Sequence, residues 1–284
     1  MATEQAQSET SQKTYQTILE QEITEGLREL GRPGTGLFIS GLSAGLDVSF
    51  SLFLIAVMLT LAQHQFTRAG TELLSAAMYS VGFILVILGR SELFTEHTTR
   101  AVYPVLHGRA SVRQLLRLWA VIYVSNLIGT VAFARLATVV GPRLGVVQVP
   151  AFGDIAMRVV NHPWWVIVLS GLLAGWLMGL VSWLVSAARD TTSQVLFVTI
   201  ITWSIGIGHL HHAIVGSVEI LAGVFVHAVS LESYFRTIFW TTVGNAAGGV
   251  FFVALFKYSH VIRRAGEPAK VDLSEPPSPL IRPE

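Results

Sequence analysis

The stretch LLSAAMYSVGFILVIL at residues 73–88 is apolar, stops at the polar residues GRSE (89–92) and resumes at Leu93. A second stretch, VLFVTIITWSIGI at residues 195–207, stops in the same way at GHLHH (208–212). An unpaired peptide group is costly in hydrocarbon, so a helix broken at membrane depth must be buried in protein or line a watery cavity. Two such breaks at corresponding positions of a chain indicate a transport pathway. The simpler alternative is that each break is a short helix ending in a loop.

The composition of the 284-residue chain is that of a membrane protein, with 52% hydrophobic and 13% charged residues, against roughly 25% charged in soluble domains. No lysine occurs between Lys13 and Lys257. A formal net charge of +1 argues against nucleic-acid binding. The absence of cysteine excludes disulfides, zinc–thiolate sites and thiol nucleophiles. We expect no cleavable signal peptide, because the first thirty residues lack a basic segment followed by an apolar one.

Four further stretches are apolar without interruption and long enough to span a bilayer, which takes about 20 residues of helix. They are residues 37–63, 116–140, 164–188 and 234–258. Together with the two broken stretches they predict an all-α membrane protein with six transmembrane helices, of which the second and fifth are interrupted.

Paired motifs indicate an internal repeat. Ala44-Gly45 in the first span recurs as Ala174-Gly175 in the fourth, and SNLIG (125–129) in the third recurs as GNAAG (244–248) in the sixth. Three spans repeated as three more place the halves in opposite orientations, because an odd number of crossings inverts the second copy. The sequence therefore predicts a channel domain over residues 37–258, with inverted halves at about 37–141 and 160–258.

The basic residues indicate that both termini are cytoplasmic, because arginine and lysine concentrate on the inner side of membrane proteins. With that orientation the inner set is Arg28, Arg32, Arg100, Arg109, Arg113, Arg117, Arg189, Lys257, Arg263 and Arg264, and the outer set is Arg68, Arg143, Arg158 and Arg236. In the predicted cytoplasmic segment 1–36, residues 15–30 have the pattern of an amphipathic helix at the membrane face. Residues 259–284 are rich in proline near the end and predict a disordered cytoplasmic tail.

Three motifs together resemble the formate/nitrite transporter family of anion channels: GFILVILGRSELFT (82–95), HAI (212–214) and VGNAAGG (243–249). The similarity covers roughly residues 35–258. It implies an aquaporin-like fold with a pore in each protomer, assembly as a homopentamer in the lipid bilayer of a bacterial inner membrane, and transport without enzymatic activity, cofactor or metal.

The resemblance assigns Glu92, Leu93, Phe94 and Thr95 to the family's loop that interrupts the second span. Leu93 would lie at the periplasmic-side constriction, and Phe94 and Thr95 at the cytoplasmic slit. Tyr79 matches a constriction aromatic of the family.

The resemblance also makes His212 the central pore histidine, at the break of the fifth span. Asn126 and Asn245 match the family's paired asparagines of the third and sixth spans, and we assign them, with His209 and His211, to support of the helix breaks. Two alternatives are open for this cluster: His212 as a buried neutral ring that only satisfies broken backbone, and the three histidines as metal ligands.

Arg158 is expected to replace the family's outer-vestibule lysine. Several positions depart from the family pattern, including His211 and Gly216 on either side of the pore histidine and Asp47 inside the first span. Glu219 is a second carboxylate at membrane depth, where such groups need a partner or water. Glu92 and Arg90 are expected to form a structural pair.

The sequence therefore favours a passive or proton-coupled channel for small monovalent weak-acid anions such as formate or nitrite. His212 would give the anion a hydrogen bond or a proton, and the neutral acid would pass the apolar constriction. A facilitator for small neutral solutes on the same fold is one alternative, and a membrane scaffold with a closed pore is another.

Overall fold

Helices form every regular element in the computed structural model, which describes residues 12–62 and 65–264. The first half contains α1 (Tyr15–Gly31), α2 (Gly34–Val48), α3 (Phe50–Ala62), α4 (Arg68–Gly89), α5 (Phe94–Arg100), α6 (Val102–Leu106) and α7 (Val112–Arg143). The second half contains α8 (Val149–Val160), α9 (Trp164–Ala187), α10 (Thr191–Ile207), α11 (Ala213–Phe225), α12 (Leu231–Ala247), a π-helical segment (Gly248–Leu255) and α13 (Phe256–Arg264).

Five helical segments of the described residues are long and apolar enough to cross a membrane. They are Gly34–Ala62, Arg68–Gly89, Val112–Arg143, Trp164–Ala187 and Leu231–Arg263. The fifth predicted span consists of two shorter apolar helices, α10 and α11, on either side of its break. The interruptions of the second and fifth spans are both present, which confirms the predicted fold class.

The observed helices differ from the predicted spans mainly at their ends. The first span bends at Ser49, whose hydroxyl donates to the Gly45 carbonyl and competes with the helical hydrogen bonds there. The second span begins at Arg68, because Thr67 caps the helix by accepting the N–H of Gly70. The final helix continues to Arg264, past the predicted boundary at 258.

Parts of two predictions fall outside the described residues. The predicted first span extends to residue 63, whereas α3 ends at Ala62 and residues 63–64 are not described. Of the predicted tail, residues 259–264 are helical and residues 265–284 lie outside the described part of the chain.

The two halves repeat at the level of individual contacts. A Cβ atom on Gly45 would overlap the backbone of Asn126, and one on Gly175 would overlap the backbone of Asn245. Helix α2 therefore crosses α7 as α9 crosses α12, with glycine at each closest approach. The paired motifs of the sequence thus mark two equivalent helix crossings.

Helix α1 packs on the helix bundle, with Ile18, Leu19, Ile23 and Leu30 buried on one face. The sequence predicts that this amphipathic helix lies at the membrane face. In the structure its apolar side contacts protein, because α6 and α9 cover it. The ammonium of Lys13 anchors its start by donating to the carbonyls at the end of α9. Burial lowers the pKa of this ammonium.

Candidate functional site

Each interrupted span stops at a residue in the left-handed region of backbone conformation. Arg90 has φ 56° and follows α4, and His209 has φ 46° near the end of α10. This conformation turns the chain out of a helix, and the N–H of Ser91 then closes the turn on the Val86 carbonyl at 3.1 Å. Each break is thus a defined turn that leads into a half-helix.

Asn126 holds the first break together. Its Oδ1 accepts the N–H of Phe94 at 2.9 Å, and its Nδ2 donates to the carbonyls of Gly41 at 2.7 Å and Glu92 at 2.9 Å. Backbone groups freed by the interruption are thereby paired away from water. The side chain also ties the break to α2.

Asn245 repeats these bonds at the second break. Its Oδ1 accepts the N–H of Ala213 at 2.8 Å, and its Nδ2 donates to the carbonyls of Gly171 at 2.8 Å and His211 at 2.9 Å. The partners stand in the same order along both halves. The inverted repeat therefore extends to the hydrogen bonds that support the breaks.

The two half-helices meet at their N-termini through Thr95 and His212. The ring of His212 accepts the N–H of Val215 at Nδ1, 3.2 Å away, and its Nε2 lies 2.8 Å from Thr95 Oγ1. A backbone N–H can only donate, so Nδ1 carries no proton and Nε2–H donates to the hydroxyl. Phe83 packs edge-on against the ring at 5.0 Å between ring centres.

A cavity opens beside His212, and we call it the distal cavity because it lies on the face away from α1. Helix α9 begins next to α8, on the cavity side, and ends next to Lys13 and α1. The polar and aromatic residues of the cavity wall are Glu72, Ser75, Tyr79, Arg158, His209, His211, His212 and Glu219. Tyr79 and Arg158 therefore border the same space as the predicted pore histidine.

Arg158 is not a free cation in this cavity. Its Nη1 lies 3.1 and 3.2 Å from the two carboxylate oxygens of Glu72, and Nε2 of His209 lies 3.3 Å from the same carboxylate. The charge of Arg158, the residue expected to replace the family's outer-vestibule lysine, is thus offset by Glu72. The sequence reading missed Glu72, a carboxylate one turn into an apolar helix, where a charged group needs a partner.

Glu219 also faces the distal cavity. It lies on α11 seven residues after His212, which brings both side chains to the same side of the helix. Arg158 is the charged group that acts on its carboxyl electrostatically. Within the described part of the chain, no hydrogen bond or ion pair is formed by Glu219.

Leu93, Phe94 and Thr95 are buried beyond His212 rather than in the wall of the distal cavity. Phe94 packs against Tyr123 at 4.8 Å and Trp119 at 6.0 Å between ring centres. Of the four residues that the resemblance places at constrictions, only Tyr79 lines this cavity. The other three are buried away from this cavity.

The three neighbouring histidines have different partners. His211 lies with Nδ1 2.9 Å from Ser170 Oγ and with Nε2 2.9 Å from the Val159 carbonyl, whereas His209 contacts Glu72 and His212 contacts Thr95. A metal ion needs its ligands to converge on one point. In the described ranges, no group of three or more metal-ligand side chains is present.

Glu92 pairs with Arg32 and His97, and the expected pair with Arg90 is wrong. Arg32 Nη1 lies 2.7 Å from Glu92 and 2.6 Å from Glu29, and the buried ring of His97 contacts the second oxygen of Glu92. The hydrogen bond that Arg32 donates to Glu29 raises the pKa of the Arg32 guanidinium. The left-handed turn at Arg90 ends α4 before the loop brings Glu92 to α1.

Arg100 forms a second ionic cluster beneath α1. Its Nη1 lies 2.9 Å from Glu96, and its Nε lies 3.5 Å from carboxylate oxygens of both Glu22 and Glu25. Glu22, which is fully buried, also accepts from Ser182 at 2.7 Å. The sequence reading missed this cluster, because Glu22 and Glu25 are far from Glu96 and Arg100 along the chain.

Asp47 accepts hydrogen bonds from two serines. Ser43 Oγ donates at 3.0 Å from the same helix, and Ser91 Oγ donates at 3.4 Å from the first break. The carboxylate at membrane depth therefore has polar partners that link α2 to the loop.

The fold and the site define a helical membrane transport protein with an inverted repeat and two half-helices that meet at a histidine. A sequence profile described as Formate/nitrite transporter matches residues 16–259. Inner membrane protein YfdC of Escherichia coli (strain K12) is 31% identical over 240 residues, which are 84% of this chain and 76% of that protein. The chain belongs to the formate/nitrite transporter family, whose members are anion channels and transporters, not enzymes.

Solved structures share the fold. One described as an FNT family ion channel matches with a TM-score of 0.76 and 23% identity, covering 86% of this chain and 98% of that one. Another, described as a pentameric formate channel with formate bound, matches with a TM-score of 0.68 and 22% identity, covering 81% and 98%. The predicted family and fold class are therefore confirmed.

Proposed function

We propose that this protein conducts small monovalent weak-acid anions, such as formate or nitrite, across the bacterial inner membrane. The observation that carries the proposal is the contact of His212 with Thr95 at the bottom of the distal cavity, where two half-helix N-termini meet. Helix N-termini carry partial positive charge and stabilise anions. The related structure that holds formate supports the choice of solute class.

In the proposed path an anion enters the distal cavity and reaches His212. The Nε2–H of the His212 ring turns from the Thr95 hydroxyl to the anion and donates to it. The Thr95 hydroxyl then donates its own hydrogen to the anion as well. Two donors at the point where hydration is lost would lower the cost of moving a charge into a dry passage. Leu93 and Phe94 form the apolar constriction in this proposal.

We infer that the protein is a homopentamer with a pore in each protomer. A related structure is described as pentameric. Large apolar side chains are exposed on the outer faces of α12 and the segments that follow it, among them Phe235 at 63%, Phe239 at 59% and Phe256 at 63%. Such faces suit contact with lipid or with neighbouring protomers.

We also propose that both termini are cytoplasmic, with residues 1–36 as a cytoplasmic segment, 37–258 as the channel domain and 259–284 as a cytoplasmic tail whose first residues, 259–264, continue the final helix. The excess of basic residues on one side supports this orientation. The similarity to an inner membrane protein supports the location.

Flux measurements in liposomes would test the proposal. The purified protein is reconstituted, and entry of formate, nitrite, hydrosulfide and glycerol is compared with protein-free vesicles at several pH values. We expect the weak-acid anions to enter faster than in the protein-free vesicles, with glycerol unchanged. Glycerol entry without anion entry would favour the neutral-solute facilitator, and no entry of any solute would favour a closed scaffold.

A further inference from the structure

We propose that Glu219 takes up the proton that accompanies each anion through the distal cavity. This inference depends on the proposed passage of weak-acid anions and adds to it the residue that binds the proton. The carboxyl has no hydrogen bond or ion pair to any described residue, although it faces the cavity in which an anion would wait.

The charge balance of the distal cavity supports the proposal. Glu72 and Arg158 offset each other as an ion pair at 3.1 Å, and Arg158 acts on Glu219 only electrostatically, without an ion pair among the described residues. An ionised Glu219 adds a negative charge to the cavity that no ion pair among the described residues offsets. An anion would be repelled from it by Coulomb's law unless one positive charge entered as well.

Other titratable groups near α11 are already engaged. Tyr234 of α12 is hydrogen-bonded with Ser217, Arg236 of α12 donates to the Val160 carbonyl, and Arg135 of α7 lies over the Phe225 ring. The titratable and charged groups that face Glu219 across the cavity are Tyr79, Glu72, Arg158, His209, His211 and His212.

The inverted repeat sets Glu219 against a residue that is a structural ion-pair residue. Its counterpart on the other half-helix is Arg100, which stands 119 residues earlier, the same spacing that separates Asn126 from Asn245. Arg100 is surrounded by three carboxylates, whereas Glu219 has no such partner in the described residues. Helix α11 therefore has an acidic side chain that faces a cavity, whereas α5 has a buried basic side chain at the equivalent position.

The proton is transferred in two steps, in each of which one O–H bond breaks as another forms. As the anion enters, an O–H bond forms on a Glu219 carboxylate oxygen while an O–H bond of a hydronium ion from the external solution breaks and leaves a water molecule. As the anion leaves toward the constriction, that O–H bond breaks and a new one forms on the anion, which becomes the neutral acid. One proton and one anion cross together, and Glu219 returns to the carboxylate. Binding of the anion and of the proton favour each other by linkage.

The test is formate uptake into liposomes that contain the purified protein and a trapped pH dye. In the wild type we expect one proton to enter per formate. Because each transfer then requires a proton from outside, the initial rate of uptake should fall roughly tenfold for each unit by which the external pH rises. Glu219→Gln should remove the coupled proton and flatten the rate to within about twofold over the same range. Uptake should then respond to an imposed membrane potential, because formate would cross as a charge.

Two matched variants separate charge from proton binding. Glu219→Asp keeps a carboxyl and should restore the pH slope. Glu72→Gln removes the other carboxyl of the cavity and should change the rate while leaving one proton per formate. If Glu219→Gln keeps the wild-type slope and proton count, the proposal is wrong although formate passage stands.

Failure of the proposed function would look different, because the wild type would then carry neither formate nor nitrite above protein-free vesicles. That result overturns the Glu219 proposal too, without any variant. If Glu219→Gln does not assemble, calorimetric titration of the wild type with formate in two buffers of different ionisation enthalpy counts the protons taken up. One proton per formate supports the proposal, and none overturns it.

Discussion

At the residue scale, the ring of His212 forms two hydrogen bonds at the same time. Its Nδ1 caps α11 by accepting a backbone N–H, and its Nε2 reaches across to Thr95. A protonated ring would lose the first bond, since both nitrogens would then be donors. We therefore assign His212 a hydrogen-bonding role toward the anion and Glu219 the proton.

We predict that His212→Asn lowers formate flux about tenfold at every pH and leaves the slope with pH intact. Asparagine can still cap α11 with its side-chain oxygen, but it is too short to replace the hydrogen bond at Nε2. Initial rates in liposomes would measure the effect. His209→Asn, at the mouth of the cavity, is the matched control and should alter flux less than threefold. Equal effects of both substitutions would contradict the assignment.

We predict that Asn126→Ala and Asn245→Ala each destabilise the protein by about 3 kcal/mol or more. Each change leaves one backbone N–H and one carbonyl of a buried break without their partner, at about 1–3 kcal/mol per group, and removes a third hydrogen bond to a helix carbonyl. Thermal unfolding in detergent, followed by tryptophan fluorescence, would measure the loss. The two variants should behave alike because the bonds are equivalent. A drop in one of them only would show that the halves are not energetically equivalent.

At the scale of elements, α1 is held to the bundle by two ionic clusters as well as by its apolar face. The clusters join α1 to the first break through Glu92 and to α5 through Arg100. A buried charge that loses its partner is far more costly than an exposed one. The docking of α1 should therefore depend on a few buried side chains rather than on its many surface charges.

We predict that Arg100→Gln loosens α1, because Glu22 and Glu96 would lose their cation in a buried site, at a cost of roughly 3 kcal/mol. Hydrogen exchange of residues 15–31 should speed up more than tenfold. Arg28→Gln is the control, since that side chain is 66% exposed and should leave exchange unchanged. Unaltered exchange in Arg100→Gln would mean that the apolar face alone holds the helix.

Sequence reasoning identified most elements because each signal is local. Apolar length gave the spans, and the polar runs at 89–92 and 208–212 gave both breaks. It missed α8, whose twelve residues are too few for a span and carry Arg158. It also treated α1 as a surface helix, since an amphipathic pattern does not say whether protein or lipid covers the apolar side.

At the scale of the whole molecule, the inverted repeat predicts the topology of the chain, and the exposed aromatic faces suit assembly into an oligomer. We predict a mass of five protomers for the detergent-solubilised complex, measured by native mass spectrometry. Labels placed at residues 5 and 280 should both be accessible from the cytoplasmic side only. A monomeric mass would contradict the pentamer, and labels on opposite sides would contradict the repeat of three spans plus three.

The sequence by itself determined the membrane class, the spans, the two breaks and the repeat, because hydrophobic length and motif spacing are properties of contiguous residues. Only the tertiary structure decided which charged side chains lie beside a partner of opposite charge. Arg158 lies beside Glu72 and Arg32 lies beside Glu92, at separations of 86 and 60 residues along the chain. Such pairs depend on how helices cross, and the energy of a charge at membrane depth depends on its nearest partner. Among the described residues, the same packing leaves the carboxyl of Glu219 without a hydrogen bond or ion pair in the cavity wall that also contains His212, the histidine that the sequence singles out.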